Sequence, residues 1–73
     1  MKYIVLEFQT NENGACATLV NAYDSLNEAE NNYHQILSAA AISNIAKHGA
    51  FMLTDDSMYV KSEYFTHDDS IEL

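Results

Sequence analysis

The three histidines of this chain, together with its many carboxylates, are the side chains with the clearest capacity for chemistry. His34, His48 and His67 could share protons or ligate a transition metal, since imidazole and carboxylate groups are usual ligands of zinc, copper and iron. Their spacing contains no His-x-x-x-His pair of the kind that places two ligands on one helix face. We therefore predict a polar site at these histidines, and we assign no metal ligand and no cofactor.

The candidate nucleophiles are Cys16 and Ser25, and each would need an adjacent base with a third group that orients that base. Cys16 lies near a predicted turn with no basic residue close in sequence to activate it. Ser25 is followed by Glu28 in the Ser-x-x-Glu pattern of a helix capping box, which already explains it. His67 precedes two aspartates, but it opens an acidic stretch in which a catalytic geometry would be hard to hold. We predict a non-enzymatic protein with no catalytic residue.

The length and net charge of the chain limit the number of domains and the classes of partner that we expect. The chain has 73 residues and a net charge of −8, with three lysines against eleven acidic residues, and we expect one domain over 1–73. Nucleic acids and anionic membranes are bound by clustered Lys and Arg, so we expect neither as a partner. Glu7 interrupts the N-terminal apolar run too early for a signal peptide or a membrane span. The lone Cys16 fits a reducing compartment, and we predict a soluble cytoplasmic protein.

Two strands are predicted first along the chain, Lys2 to Thr10 and Ala15 to Tyr23. Both segments are rich in β-branched and aromatic residues. Asn13-Gly14 between them predicts a hairpin with a two-residue type I′ loop, because both residue types tolerate positive φ. This loop would pair Phe8 with Leu19 and Ile4 with Tyr23.

A helix follows the capping box. Its apolar residues recur at helical spacing and form one stripe, and we expect the helix to end near Asn44. The stripe consists of Leu26, Ala29, Tyr33, Ile36, Leu37 and Ala40.

A second hairpin is predicted from His48 to Phe65, with Asp55 and Asp56 as its loop, which pairs Leu53 with Met58 and Phe51 with Val60. A loop longer by one residue would exchange the two faces of this hairpin. Residues 67–73 form an acidic tail that we expect to be loose.

The order ββαββ predicts an α+β fold, in which one helix packs on one face of a four-stranded antiparallel sheet. We expect the helix to cover the face that carries the larger apolar residues of the strands. That set is Ile4, Leu6, Phe8, Leu19, Phe51, Leu53 and Val60.

The second face of the sheet then remains apolar and uncovered, which monomeric proteins rarely tolerate over a large patch. The residues expected there are Tyr3, Val5, Val20, Ala22, Met52 and Tyr59. We therefore predict a homo-oligomer with this face as its interface, and a symmetric dimer is the commonest form. The acidic surface would either steer the protein towards basic partners or serve solubility alone.

The segment from Asn27 to Ser43, with Lys47-His48-Gly49-Ala50 after it, resembles short proteins encoded in phages and prophages of Gram-positive and gut bacteria. The similarity extends from the first strand to Tyr64-Phe65-Thr66-His67. Recurring Tyr-His and Thr-His pairs in that group match Tyr33-His34 and Thr66-His67. The resemblance implies a small accessory protein made in the cytoplasm of a bacterial host, and it implies no particular chemistry.

These observations favour a non-enzymatic accessory protein that self-associates and binds another protein of the host or the phage. Two alternatives stay open. One is a purely structural role, in which the oligomer itself is the product, and the other is a module that binds a small ligand or a metal ion.

Overall fold

The chain folds into a four-stranded antiparallel sheet with one helix against it, as a computed structural model of residues 1–67 shows. The elements are β1 (Tyr3–Thr10), β2 (Cys16–Tyr23), α1 (Leu26–Ile42), β3 (Lys47–Thr54) and β4 (Tyr59–Thr66). This order confirms the predicted α+β class and the ββαββ arrangement. Of the tail predicted to be loose, only His67 lies within the described residues.

The strand order in the sheet is β2-β1-β3-β4. β1 is antiparallel to both β2 and β3, so these two strands run parallel to each other on opposite sides of β1. Helix α1 is the crossover that joins them. Crossovers between parallel strands of one sheet are almost always right-handed. The handedness of this connection, and not the apolarity of either face, therefore decides on which face of the sheet the helix packs.

The loop between β1 and β2 is one residue longer than the sequence predicts. Asn11 N donates to Ala15 O at 3.0 Å, Gly14 N donates to Asn11 O at 2.9 Å, and Gly14 has a φ of 86°. This is the three-residue loop in which a type I turn is followed by a left-handed glycine. Asn11 Oδ1 also accepts from the N–H groups of Asn13 and Ala15.

That extra residue makes the predicted register of the first hairpin wrong. Phe8 lies opposite Thr18 and Ile4 lies opposite Ala22, whereas the two-residue loop would have paired them with Leu19 and Tyr23. Because side chains alternate along a strand, a slip of one residue moves every side chain of β2 to the other face.

The second hairpin closes with the same type of loop. Thr54 N donates to Met58 O at 2.9 Å, Ser57 N donates to Thr54 O at 3.0 Å, and Ser57 has a φ of 71°. A bulge between Met52 and Leu53 then shifts the register along β4.

The pairs predicted for this hairpin are therefore wrong as well. Leu53 lies opposite Tyr59, and Phe51 lies opposite Ser62, because the loop takes in Ser57 beyond the two aspartates. The bulge then adds a further residue to β4.

Helix α1 begins at the predicted capping box, where Ser25 Oγ accepts from Glu28 N at 3.4 Å. It ends at Ile42 with Ser43 as its C-cap, slightly before the predicted end near Asn44. The predicted stripe is buried except for Leu26, which is exposed.

The core lies between this stripe and the side of the sheet that carries Val5, Ala50 and Met52, all of which are fully buried. Tyr3 and Tyr23 pack at its margin. The prediction that the helix covers the face of Ile4, Leu6, Phe8, Phe51 and Leu53 is therefore wrong. Both faces of β1 are apolar, so the pattern alone did not decide between them.

Candidate functional site

The face of the sheet away from α1, which we call the open face, is apolar and exposed. Val20 is 59% exposed and Phe51 is 40% exposed, although both are large apolar residues. The registers of the three ladders place Ile4, Leu6, Phe8, Val20, Ala22, Phe51, Leu53, Tyr59 and Tyr64 on this face.

The open face carries almost no charge within the described residues. The acidic residues of the strands, Glu7 and Glu63, both lie across from Ala50 and therefore point to the helix side. Lys47 lies at one end of the face, where its Nζ is 5.4 Å from the centre of the Tyr64 ring. The acidic side chains of residues 1–67 are thus displayed elsewhere.

Half of the predicted interface residues lie on the open face. Val20, Ala22 and Tyr59 do so. The placement of Tyr3, Val5 and Met52 there is wrong, because these three lie on the helix side and contribute to the core. The register errors of both hairpins account for the mixture: the first combined Tyr3 and Val5 with residues of the opposite face of β2, and the second combined Met52 with Tyr59.

Helix α1 packs mainly over β3 and β1, so the helix side of β2 is also left open. Leu19 is 62% exposed there. A cavity of about 230 Å³ lies beside it, lined by Glu7 and Gln9 of β1 and by Ala17, Thr18 and Leu19 of β2.

A second cavity continues the first towards the end of the first hairpin. It measures about 170 Å³ and shares Gln9 and Ala17 with the first, and it reaches Cys16 and Ile45. Together the two cavities form a trough along the helix side of β2, which we call the β2 groove.

The histidine predicted to begin the third strand is the centre of a hydrogen-bond network. His48 is 4% exposed, its Nε2 lies 2.6 Å from Glu7 Oε2, and its Nδ1 lies 3.1 Å from Ser43 Oγ. Because a carboxylate only accepts hydrogen bonds, Nε2 is the donor to Glu7. The network therefore ties β1, β3 and the C-cap of α1 together.

The hydrogen-bonded series of a serine, an imidazole and a carboxylate resembles a hydrolytic triad. The groups around Ser43 indicate a structural role instead. Ser43 follows the last turn of α1, where a helix presents carbonyl oxygens. Ser43 N and Ser43 Oγ both lie 3.3 Å from Ala40 O and donate to it. An oxyanion needs N–H donors and would be repelled by carbonyl oxygens, so this geometry holds His48 in place and does not favour attack by Ser43.

The other two predicted histidines differ in their surroundings. His67 joins the same end of the helix, with Nε2 2.7 Å from Ala40 O and its backbone N 2.8 Å from Ala46 O. His34 stays on the exposed surface of α1, where its Nε2 lies 3.2 Å from Glu30 Oε1. The structure thus brings His48 and His67 to the C-terminal turn of α1 and leaves His34 apart.

No group of three or more His, Cys, Asp and Glu side chains among residues 1–67 is arranged to hold a metal ion. Within the same residues, no helix combines the length and the apolarity that crossing a membrane requires.

Electrostatic contacts fasten the helix to β4. Lys61 donates to Glu30, and its Nζ lies 4.8 Å from the centre of the Tyr33 ring. The hydrogen bond from Lys61 lowers the pKa of Glu30 below its usual value. Burial raises the pKa of Tyr33.

Glu7 and Ser43 belong to the His48 network, but the sequence analysis did not predict either residue as part of the polar site. A signal for Glu7 was present, because it is the single charged residue in a strand of otherwise apolar and neutral types. A carboxylate at such a position, facing the same side as Val5, needs a buried partner. Ser43 gave no comparable signal, since a serine at a helix end is common.

No family model, no curated protein and no solved structure matches this chain.

Proposed function

We propose that this chain is a non-enzymatic accessory protein of phage or prophage type that dimerises through its open face and acts by binding another protein. The observation that carries the proposal is the exposed, nearly uncharged open face. The proposed location is the cytoplasm of a bacterial host, on the resemblance of the sequence alone.

A second copy of the chain suits this face better than a charged partner does. Each copy carries a net charge of −8, so two copies repel each other over most of their surfaces. The strand carboxylates Glu7 and Glu63 point away from the open face, so they add no like charge to two open faces that meet. Two open faces can also meet about a two-fold axis, the commonest symmetry of homo-oligomers.

The size of the face agrees with a small dimer interface. Four strands of eight residues cover a footprint of about 500 Å² on each copy. The two footprints together come to about 1,000 Å², which is the lower bound for a specific interface. A chain of this length also has a thin core, and association is one of the usual remedies.

Sedimentation equilibrium on the purified chain tests the dimer. We expect a dimer for the native chain, and we expect monomers for Phe51→Glu, because this change buries a carboxylate at the centre of the interface. Val20→Glu gives a second test at a more exposed position, where the substitution perturbs the monomer less. Ile42→Glu is the matched control, since Ile42 is an 88% exposed residue of α1.

The proposal is overturned if the native chain sediments as a monomer at about 100 µM, a concentration at which a specific dimer should be populated. It is also overturned if the control Ile42→Glu dissociates the dimer as completely as Phe51→Glu does.

A further inference from the structure

The edge strand β2 presents free backbone hydrogen-bonding groups. Asn11 and Ala15 form a bonded pair at the loop, and bonded pairs alternate along an antiparallel ladder. By this alternation the odd-numbered residues of β2 bond to β1. The N–H and C=O groups of Cys16, Thr18, Val20 and Ala22 therefore point outwards, away from the sheet.

Nothing in β2 prevents a further strand from pairing there. The segment from Ala15 to Tyr23 contains no charged residue and no proline, which are the features that usually protect an edge. Leu19 and Val20 are exposed on opposite sides of the strand. An added strand would thus have backbone partners along its length and apolar neighbours on both of its faces.

The β2 groove adds a charged feature to this edge. Gln9 Nε2 and His48 Nε2 both bond to Glu7 Oε2, and no residue of the described chain bonds to Glu7 Oε1. No buried side-chain oxygen or nitrogen in that part of the chain lacks a partner, so Oε1 is open to the groove. The groove therefore offers a carboxylate oxygen between apolar walls.

That combination suits a long cationic side chain. Lysine and arginine lay their aliphatic stems along apolar surface and keep the charged end at a polar group. A strand added beyond β2 lies about 10 Å from β1, so a short side chain opposite Leu19 would not reach Glu7. The lysines within the protein are engaged elsewhere, with Lys2 on Asp24, Lys61 on Glu30 and Lys47 over Tyr64.

We infer that the β2 edge binds an extended, otherwise uncharged segment of another protein, which places one lysine or arginine side chain in the β2 groove against Glu7. A second copy of this chain does not fit, because its β2 has no basic residue and Lys61 of its β4 is bound to Glu30. The inference rests on the protein-binding part of the proposed function and names the chemistry of the partner.

Two capped, fluorescein-labelled peptides as long as β2 test the inference by fluorescence anisotropy with the full chain. Both alternate valine and threonine, and one carries a central arginine where the other carries citrulline, its uncharged counterpart. We expect the arginine peptide to bind about tenfold more tightly, which is the scale of one charge-assisted hydrogen bond.

Variants assign this difference to the groove and to the edge. Glu7→Gln should remove the preference for arginine, while Glu63→Gln, on the same side of the sheet but on β4, should keep it. Thr18→Pro should abolish binding of both peptides, because it removes an outward N–H, and Thr18→Ala should not.

Glu7 also accepts a hydrogen bond from His48, so Glu7→Gln could fail to fold. A second variant that leaves Glu7 unchanged keeps the inference testable in that case. Leu19→Lys changes an exposed residue at the mouth of the groove. This variant should bind the arginine peptide about tenfold more weakly than the native chain does and should bind the citrulline peptide with unchanged affinity.

Equal affinities of the two peptides for the native chain overturn the inference, and so does the absence of binding at about 1 mM. Unchanged binding of both peptides by Thr18→Pro also overturns it, because an added strand needs the outward N–H group of Thr18. Failure of the proposed dimer is separate from these outcomes, since it shows as a monomeric native chain whose peptide binding is intact.

Discussion

The two hairpins of the sheet close with the same kind of loop, but their outer strands differ in charge and in the regularity of their pairing. β2 is uncharged throughout and follows a regular register with β1. β4 carries Lys61 and Glu63, and the bulge opposite Met52 and Leu53 interrupts its register. Charges and bulges are the usual means by which proteins prevent edge-to-edge pairing.

This difference indicates that the molecule protects one edge of its sheet and leaves the other free. An ion pair between Lys61 and Glu30 holds the protected edge to α1, whereas β2 is joined to α1 by the neutral hydrogen bond from Asn21 Nδ2 to Asn32 Oδ1 at 3.4 Å. The free edge has the β2 groove beside it and little helix above it. Free backbone groups, exposed apolar side chains and the Glu7 carboxylate thus occur together at this edge, and the proposed peptide binding depends on all three.

The largest expected effect concerns the close packing of β3 against β4. Gly49 has no room for a side chain, because an added Cβ would overlap Glu63 O and would lie 2.5 Å from Tyr64 Cβ. Gly49→Ala must therefore push the two strands apart, and we expect a loss of about 3 kcal/mol in the free energy of unfolding, measured by urea denaturation.

The control for this variant is Ala22→Val on the exposed strand β2, which adds more volume and should change stability by no more than about 0.5 kcal/mol. A Gly49→Ala chain with the unfolding midpoint of the native chain would contradict the close packing of β3 and β4.

A smaller effect distinguishes the two loops. Gly14 and Ser57 occupy equivalent left-handed positions, with φ of 86° and 71°, but only glycine adopts this conformation without steric cost. We expect Ser57→Gly to stabilise the chain by about 0.5–1 kcal/mol and Gly14→Ala to destabilise it by about 1 kcal/mol. Thermal unfolding followed by circular dichroism measures both. Changes of the same sign would show that the two loops are not equivalent.

The smallest effect compares the lysine–carboxylate pairs that hold each hairpin to the helix region. Hydrogen bonds from lysine lower the pKa of Glu30, bonded to Lys61, and that of Asp24, bonded to Lys2. For a lowered carboxyl pKa, the stabilisation is complete above the usual value, 4.5 for Glu30, and is lost as the pH falls through the folded-state value.

We therefore expect Glu30→Gln to be less stable than the native chain at pH 7 and equal to it in acid, by urea denaturation at a series of pH values. Asp24→Asn should show the same trend more weakly, because the Asp24 side chain is 81% exposed against 29% for Glu30. A difference that persists unchanged in acid would exclude the ion pair as its cause.

The sequence was sufficient for the order of elements and for the helix, because their signals are local. The spacing of Ala29, Tyr33 and Leu37 predicts a buried stripe without knowledge of the rest of the chain, and Ser25 marks its start. The hairpins were also visible as pairs of strand-forming segments.

The facing of the sheet was not predictable in the same way, because it depends on loop length and on the crossover. Asn13-Gly14 is compatible with a two-residue loop and with the observed three-residue loop, and these differ by one residue in register. The choice between the Val5 side and the Leu6 side of β1 then follows from the handedness of the connection through α1. For the polar site, the pairing of Glu7 with His48 joins residues far apart in sequence, which no spacing rule indicates.

The strand order has a consequence for how the molecule is made. The two central strands, β1 and β3, belong to different hairpins and meet with Thr10 opposite Lys47 and Tyr3 opposite Thr54. On a translating ribosome, the first hairpin and the helix must therefore emerge before β1 can acquire its second neighbour. Closing a connection of this length slows folding, so until β3 arrives the second edge of β1 has no strand paired to it.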